Sequence, residues 1–438
     1  MRILVIDANG ASLDWSMRCQ RDGHQVKWYI PPQKASFEPF MVGKGIVERI
    51  NDPHEWYKWA DLIFLTDNTK WIDVADAWRK KGWPVISSSP ATAAWELDRD
   101  IGQKVMKKAG VQTIPGKGFN DYDAAIAYVK REMERFVSKP DGDADKALSY
   151  VSKTPADMVY MLQRWKKTNK LKRSFILQKF CPGVEMAVGG WFGPGGFNVG
   201  WCENWEFKKL MNDDLGCATG EQGTVVRYVK KSKLAEKVLV PFEDALASES
   251  YVGYVDVNCI IDEQGTPWPL EFTMRPGWPT FNIQQALHKG DHAQWLMDLW
   301  HGHDAKVFNL DEVAVGVVLS IPDYPYSHIT RKEVQGVPVY GFELSEDMHP
   351  CEMMMGIAPQ EENGKISDKP CMVTAGDYVL VTTGTGETVK SAKLGAYRTL
   401  KKLSIPNSPM YRTDIGNRLK KQLPLLQAHG YATGLSYL

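Results

Sequence analysis

The chain opens with an apolar run at residues 3–6 that breaks into polar residues at Asp7. Over residues 1–88 such short runs alternate with segments of helical spacing. Runs at 3–6, 25–30, 61–65 and 84–86 predict strands, and residues 12–22 predict a helix stopped by Gly23. Strand–helix–strand alternation of this kind predicts a small parallel sheet with helices on its faces. From Ser89 the texture changes. Residues 95–108 have helical spacing ending near Ala109-Gly110, and 124–136 predict a second helix, followed by Val137-Ser138-Lys139. Residues 175–180 form an apolar strand. A hairpin is expected over 186–201, turning through Gly193-Pro194-Gly195-Gly196. A second strand pair, 254–261 and 268–272, flanks Asp262-Glu263-Gln264-Gly265. From about residue 306 to 425 short strands and turns lead into a helix over 387–402. With no internal repeat and no low-complexity linker, the lobes 1–88, 89–305 and 306–425 are expected to be tightly docked.

Length agrees with that division, since 438 residues at about 150 per domain give about three domains. Hydrophobic residues at 43% and charged residues at 24% fit a globular protein. The 53 basic and 53 acidic residues cancel, so no global field draws nucleic acid or an anionic membrane. The local basic run of Lys166, Lys167, Lys170, Lys172 and Arg173 reads as a solvated helix end and turn. The first apolar stretch is too short for a signal peptide. No later segment approaches the roughly 18 uninterrupted apolar residues of a membrane span. Seven cysteines, at 19, 181, 202, 217, 259, 351 and 371, are odd in number and scattered. They predict reduced thiols in a cytoplasmic protein, with neither a disulfide frame nor a zinc site.

Chemistry concentrates in four places. The first turn, Asp7-Ala8-Asn9-Gly10-Ala11, lacks the three glycines of a dinucleotide fingerprint and points away from nicotinamide or flavin chemistry. Further on, Lys139 and Lys146 bound the loop Lys139-Pro140-Asp141-Gly142-Asp143-Ala144-Asp145-Lys146. Two ammonium groups and a small flexible loop suit a polyphosphate, although a solvent turn with incidental lysines is the alternative. The run 175–180, containing Gln178, Lys179 and Phe180, leads through Cys181-Pro182-Gly183-Val184 to Glu185. It offers an adenine slot with a carboxylate for ribose, or simply an edge strand with a turn. Asp256 and Asn258, then Glu271 and Thr273, are pairs two apart on predicted strands, so each pair shares a face. Four hard oxygen ligands suit magnesium; a buried hydrogen-bond cluster is the other reading. Arg275, in Met274-Arg275-Pro276-Gly277-Trp278-Pro279, could bind a carboxylate or acyl phosphate bidentately, or be an ordinary loop arginine.

The order and spacing of these segments resemble the phosphoribosylamine–glycine ligase family, also called glycinamide ribonucleotide synthetases, of the ATP-grasp superfamily. The resemblance runs from residue 1 to about 418. It includes Gly336-Val337-Pro338-Val339-Tyr340-Gly341, Val373-Thr374-Ala375-Gly376-Asp377-Tyr378-Val379-Leu380 and Arg412-Thr413-Asp414-Ile415-Gly416 in the C-terminal lobe. By position, Arg99 stands where the family has its first phosphate-contacting lysine. Lys139 matches the second nucleotide lysine, Lys146 the lysine of the flexible loop, and Glu185 the ribose-binding acid. Glu206-Phe207-Lys208-Lys209 resembles the acidic–His–Lys–Arg segment, and Thr219-Gly220-Glu221-Gln222-Gly223-Thr224 the glycine-rich substrate loop. Glu271 matches a magnesium ligand, Thr273 takes the place of a metal-binding asparagine, and Arg275 matches the arginine after it. Departures fall on the substrate side: Asn9-Gly10-Ala11-Ser12-Leu13 replaces Gly-Gly-Arg-Glu-His, and Pro276-Gly277-Trp278-Pro279-Thr280 replaces Gly-Asp-Pro-Glu. Glu221 and Gln222 replace small residues.

What the resemblance implies is an α/β protein with α+β lobes. It would carry an ATP-grasp fold over 89–305, an N-terminal Rossmann-like parallel α/β domain over 1–88, and a C-terminal mixed β-rich domain over 306–425. The implied activity is a carboxylate–amine ligase using ATP with Mg2+ (or Mn2+), through an acyl phosphate. Its small-molecule partners would be an acid such as glycine and an amine such as phosphoribosylamine, with neither nucleic acid nor membrane, in a monomer or small homo-oligomer. Arg99, Lys139, Lys146, Gln178, Lys179, Phe180 and Glu185 would hold ATP, and Lys208, Thr219, Gly220 and Arg275 the substrates. Glu271, Thr273, Asp256 and Asn258 would hold metal, and Arg275 with Lys146 would act in catalysis. Alternatives are a ligase for another acid and amine, and a non-catalytic ATP-binding relative. The 16 tryptophans suit core packing before base or sugar stacking.

Overall fold

The computed structural model describes residues 1–31, 41–68, 71–140, 149–168, 174–305, 308–326, 332–406 and 408–438. The first apolar run is β1 (Arg2–Ile6), followed by α1 (Leu13–Arg21), β2 (Gln25–Tyr29), β3 (Glu48–Arg49), β4 (Leu62–Leu65), α2 (Ile72–Arg79) and β5 (Val85–Ile86). The strands form the expected parallel sheet, in the order β3-β2-β1-β4-β5. Alternation along β1 divides its side chains between two cores. Leu4 and Ile6 pack with Ile72, Ala75 and Trp78 on the outer side. Ile3 and Val5 join Phe281, Val318, Met353 and Val381 on the inner side. The small sheet is thereby cemented to residues hundreds of positions away.

Residues 95–108, expected as one helix, are two: α3 (Pro90–Leu97) and α4 (Arg99–Lys108). Asp98 between them is extended, at φ −121° and ψ 107°, and its carboxylate accepts from the amides of Asp100 (2.9 Å) and Ile101 (3.1 Å). Apolar spacing runs on through a cap of this kind, because the cap acts on the backbone and leaves the hydrophobic face in phase. Next come β6 (Gly116–Phe119), α5 (Tyr122–Glu132), β7 (Phe136–Pro140), β8 (Tyr150–Val151), α6 (Pro155–Thr168) and β9 (Phe175–Lys179). The helix expected to reach residue 136 stops at Glu132, where Met133 turns left-handed at φ 53°. Phe136 instead begins a strand. An antiparallel sheet, β6-β9-β7-β8, is covered by α5 and α6 around a core of its own that includes Val129, Phe136, Leu162 and Leu177.

The chain continues as β10 (Val184–Gly193), β11 (Gly196–Phe197), β12 (Trp201–Glu206), β13 (Lys209–Met211), β14 (Leu215–Ala218) and β15 (Gly223–Val229). After α7 (Lys233–Val238) and α8 (Glu243–Ser248) come β16 (Gly253–Ile261) and β17 (Pro267–Thr273). Two short helices, α9 (Thr280–Gln285) and α10 (Gln294–Trp300), precede β18 (Val313–Ser320), β19 (Met348–Pro350), β20 (Met353–Glu362), β21 (Lys365–Thr374), β22 (Tyr378–Gly386), α11 (Val389–Leu400) and α12 (Leu419–Ala428). One sheet runs β17-β16-β10-β12-β15-β18-β22-β19, with β11 paired to β10. Strands before and after residue 305 are neighbours in it, since β15 pairs antiparallel with β18 from Gly223–Val317 to Arg227–Val313. Its apolar face packs on α7, α8, α11 and α12 through Leu234, Leu246, Ala396 and Leu423. Among the described residues no helix is long and apolar enough to cross a membrane.

Candidate active site

The opposite face of the long sheet turns polar beside the four-stranded lobe. Register places Asn258 opposite Glu271 and Asp256 opposite Thr273. Ala187 sits between Asn258 and Asn204, and Thr224 lies opposite Glu206. The two-residue period of a strand then brings Glu185, Asn204, Glu206, Thr224, Asp256, Asn258, Glu271 and Thr273 to one side. Half-buried Lys208 bridges two of the acids, with Nζ 3.0 Å from Glu185 Oε1 and 2.8 Å from Glu206 Oε2. Asn258 Nδ2 donates to the same pair, at 2.7 and 3.0 Å. Burial alone would raise the Glu185 carboxyl, but the Lys208 charge and these hydrogen bonds hold it below its ordinary value. Burial likewise opposes the Lys208 ammonium, and Glu185 and Glu206 together push it well above the ordinary lysine range.

A cleft of about 370 Å³ opens between the two sheets, lined by Trp95, Arg99, Lys139, Gln178, Leu270 and Glu271, among others. Arg99, first residue of α4, places Nη2 3.3 Å from Glu271 Oε2. Burial pulls the Lys139 ammonium down to about 8, against the opposing pull of Glu271. At the cleft's end Arg275 Nη2 lies 3.1 Å from Glu96 Oε1. Glu96 Oε2 also accepts from the Met274 amide (2.8 Å) and Asn68 Nδ2 (2.7 Å). The break at Asp98 therefore sets Glu96 and Arg99 against the end of β17, one holding Arg275 and the other meeting Glu271.

The structure divides the segment expected to form an adenine slot. Gln178 faces the cleft, whereas Lys179 and Phe180 line a second, open cavity of about 610 Å³ with Trp268 and Asp262. Lys179 pairs with exposed Glu134 at 2.7 Å, and the Arg135 guanidinium covers the Phe180 ring at 3.6 Å. Thr219 is tied to the Lys208 carbonyl by its amide and its hydroxyl, both at 2.8 Å, while Gly220 is exposed. Glu221 is buried and its Oε1 has no hydrogen-bond partner. Burial first, and Glu206 second, raise its carboxyl well above the ordinary value. Gln222 Nε2 lies 3.2 Å from the Tyr324 hydroxyl. Lys146 lies outside the described residues.

Of the expected metal ligands, Asp256 and Asn258 are buried, and Asp256 is hydrogen-bonded from two sides. Its Oδ2 accepts from Asn204 Nδ2 (2.9 Å) and the Tyr254 hydroxyl (3.2 Å), and burial raises the carboxyl to about 7. Among the described residues no group of three or more His, Cys, Asp or Glu side chains could hold a metal. The Asn258 carbonyl oxygen, buried and unpartnered opposite Glu271, is a neutral oxygen donor beside that carboxylate. At the end of β1 the carboxylate of Asp7 accepts from the amides of Asn9 (3.0 Å), Gly10 (2.8 Å) and Ser12 (2.7 Å). Asp67 accepts from Ala8 at 2.9 Å. Sequence reasoning did not single out Glu96, Asn204 or Arg418. Alternation with Glu206 on one strand was a usable signal for Asn204. Arg418, whose guanidinium lies 4.0 Å over the Phe207 ring, had none.

Residues 98–280 match the family model described as phosphoribosylglycinamide synthetase, ATP-grasp (A) domain. The phosphoribosylamine–glycine ligase of Ralstonia nicotianae is 26% identical over 361 residues, 79% of this chain and 81% of the relative. That of Lactococcus lactis is 25% identical over 438 residues, 95% of this chain and 100% of its own. Among solved structures, Thermotoga maritima phosphoribosylamine–glycine ligase superposes with a TM-score of 0.72 at 19% identity, covering 95% of this chain and 100% of the other. Biotin carboxylase of Campylobacter jejuni superposes with a TM-score of 0.60 at 12% identity, over 98% and 97%. The two facing sheets are those of the ATP-grasp fold, residues 98–280 match its domain model, and the chain is similar to phosphoribosylamine–glycine ligases over most of its length.

Proposed function

We propose that the protein is an ATP-dependent ligase joining a carboxylate to an amine, with glycine and 5-phosphoribosylamine as the pair. One arrangement carries the reading: Lys139, Arg99 and Glu271 line a single cleft between two lobes. Arg99 and Lys139, with Lys146 from the resemblance, hold the phosphates, and Gln178 lines the nucleotide's end of the cleft. Glu271 with the Asn258 oxygen, and Thr273 beside them, would hold Mg2+ or Mn2+, which would offset charge on the phosphates. The γ-phosphoryl group passes to a carboxylate oxygen, giving an acyl phosphate and ADP. Arg275, steadied by Glu96, clamps the reacting carboxylate. Neutral amine attacks the acyl carbon, the C–N bond forms, phosphate leaves and the amine loses a proton. Lys208 and the loop of Thr219 and Gly220 border the substrates. Residues 89–305 would form the ATP-binding domain between 1–88 and 306–425, in a cytoplasmic monomer or small homo-oligomer.

The experiment is ADP release from MgATP with glycine and freshly generated phosphoribosylamine, each also omitted singly. Turnover is expected to need both substrates and to fall at least a hundredfold in Glu271→Gln. Full activity in that variant would remove Glu271 from the metal assignment, and turnover without either substrate would sink the pairing.

A further inference from the structure

The polar face holds more carboxylates than cations: Glu185, Glu206, Glu221 and Asp256 against Lys208 and Arg418. Lys208 is committed to Glu185 and Glu206, and Arg418 to Asp214 at 3.3 Å and to the Glu206 carbonyl. Glu221 and Asp256 are left without a cation at ion-pair distance among the described residues. Two buried amide oxygens on this side lack any partner: Asn258 Oδ1, assigned above to the cation, and Asn204 Oδ1. The amide orientations are fixed by chemistry, because Asn204 Nδ2 and Asn258 Nδ2 both donate to carboxylates. Their carbonyl oxygens are therefore the orphaned ends. Glu221 is 5% exposed and Asn204 1%, too enclosed for bulk water to satisfy them. Leaving such groups bare costs stability, so their persistence points to a missing donor.

We propose that Glu221, with Asn204 and Asp256, receives a protonated primary amine carried by a substrate of this enzyme. An ammonium group is the matching counterpart, with three N–H donors, a positive charge and no acceptor. Its arrival supplies the cation that Glu221 lacks and fills the orphaned amide oxygen. A hydroxyl in its place would bring one donor and no charge. The ammonium could sit on the acid substrate, as in an α-amino acid, or on a second amino group of the amine. The inference rests on the ligase reading only for the word substrate, and its test is read without turnover.

Calorimetric binding to the full chain, with MgADP present, separates the sources. Glycine probes an ammonium beside a carboxylate. Glycolate keeps the carboxylate and replaces the ammonium by hydroxyl, and ethylenediamine keeps ammonium without carboxylate. At least one ammonium probe is expected to bind at pH 7, to weaken tenfold or more in Glu221→Gln, and to be kept by Glu221→Asp. MgADP affinity, unchanged in both variants, checks folding. A Glu221-dependent glycine signal at least tenfold above glycolate assigns the ammonium to the acid. A Glu221-dependent ethylenediamine signal assigns it to the amine. Binding of neither probe, or equal affinities in wild type and Glu221→Gln, overturns the proposal. Ammonium binding that depends on Glu221 in a chain releasing no ADP would retire the ligase reading and leave this one standing.

Discussion

Lys139 shows what desolvation does to a single residue. Burial pulls its ammonium down to about 8, and a bound triphosphate would hold the proton on. Above pH 8, ATP binding must then take up a proton, and affinity should fall by up to about tenfold per pH unit. Below pH 8 the profile should be flat. Calorimetry in two buffers of different ionisation enthalpy measures the uptake, and Lys139→Met should abolish it while weakening ATP at pH 7. An unchanged slope in that variant would place the proton elsewhere. Individual roles were unevenly legible in the sequence. Lys139 and Glu271, singled out by spacing and resemblance, line one cleft, and the roles expected of them are the ones proposed above. Lys179 and Phe180 sit on the same run as Gln178, yet strand alternation and the chain's turn at Cys181 direct them to the other cavity.

Elements were legible where apolar runs end at strong turn signals. The strands 254–261 and 268–272 flank a polar turn, and the structure has β16 and β17 there. Boundaries set by backbone hydrogen bonds were not, as the split between α3 and α4 illustrates. Replacing Asp98 by Ala removes both cap bonds and should cost about 1 kcal/mol. It also permits the two helices to fuse, which would swing Arg99 away from Glu271. Thermal melting and ATP affinity measured together test this: a loss of stability with ATP affinity intact would confine Asp98 to capping.

Across the whole molecule the joins are long-range and buried. Asp14 on α1 accepts from Arg18 at 2.7 Å and meets His349 Nδ1 at 2.8 Å, all three inaccessible to solvent. His349 belongs to β19 and lies 335 residues away in the chain. No periodicity announces a partner at that distance, which explains why the register between distant elements was not readable. Arg18→Met should cost about 3–5 kcal/mol by leaving Asp14 without its main counter-charge, measured by denaturant unfolding. A loss below about 1 kcal/mol would mean that His349 takes over the pairing.

The turn after β1 closes around a carboxylate of its own. Its inward-pointing amides form the kind of concavity that elsewhere cradles phosphate, but Asp7 is tethered inside as a resident anion. A phosphorylated visitor would have to displace a ligand that cannot diffuse away, and would meet Asp67 beside it. The amides that could receive an anion at this turn are already occupied by the chain's own carboxylates. If phosphoribosylamine is the amine, its phosphate is held by some other part of the chain.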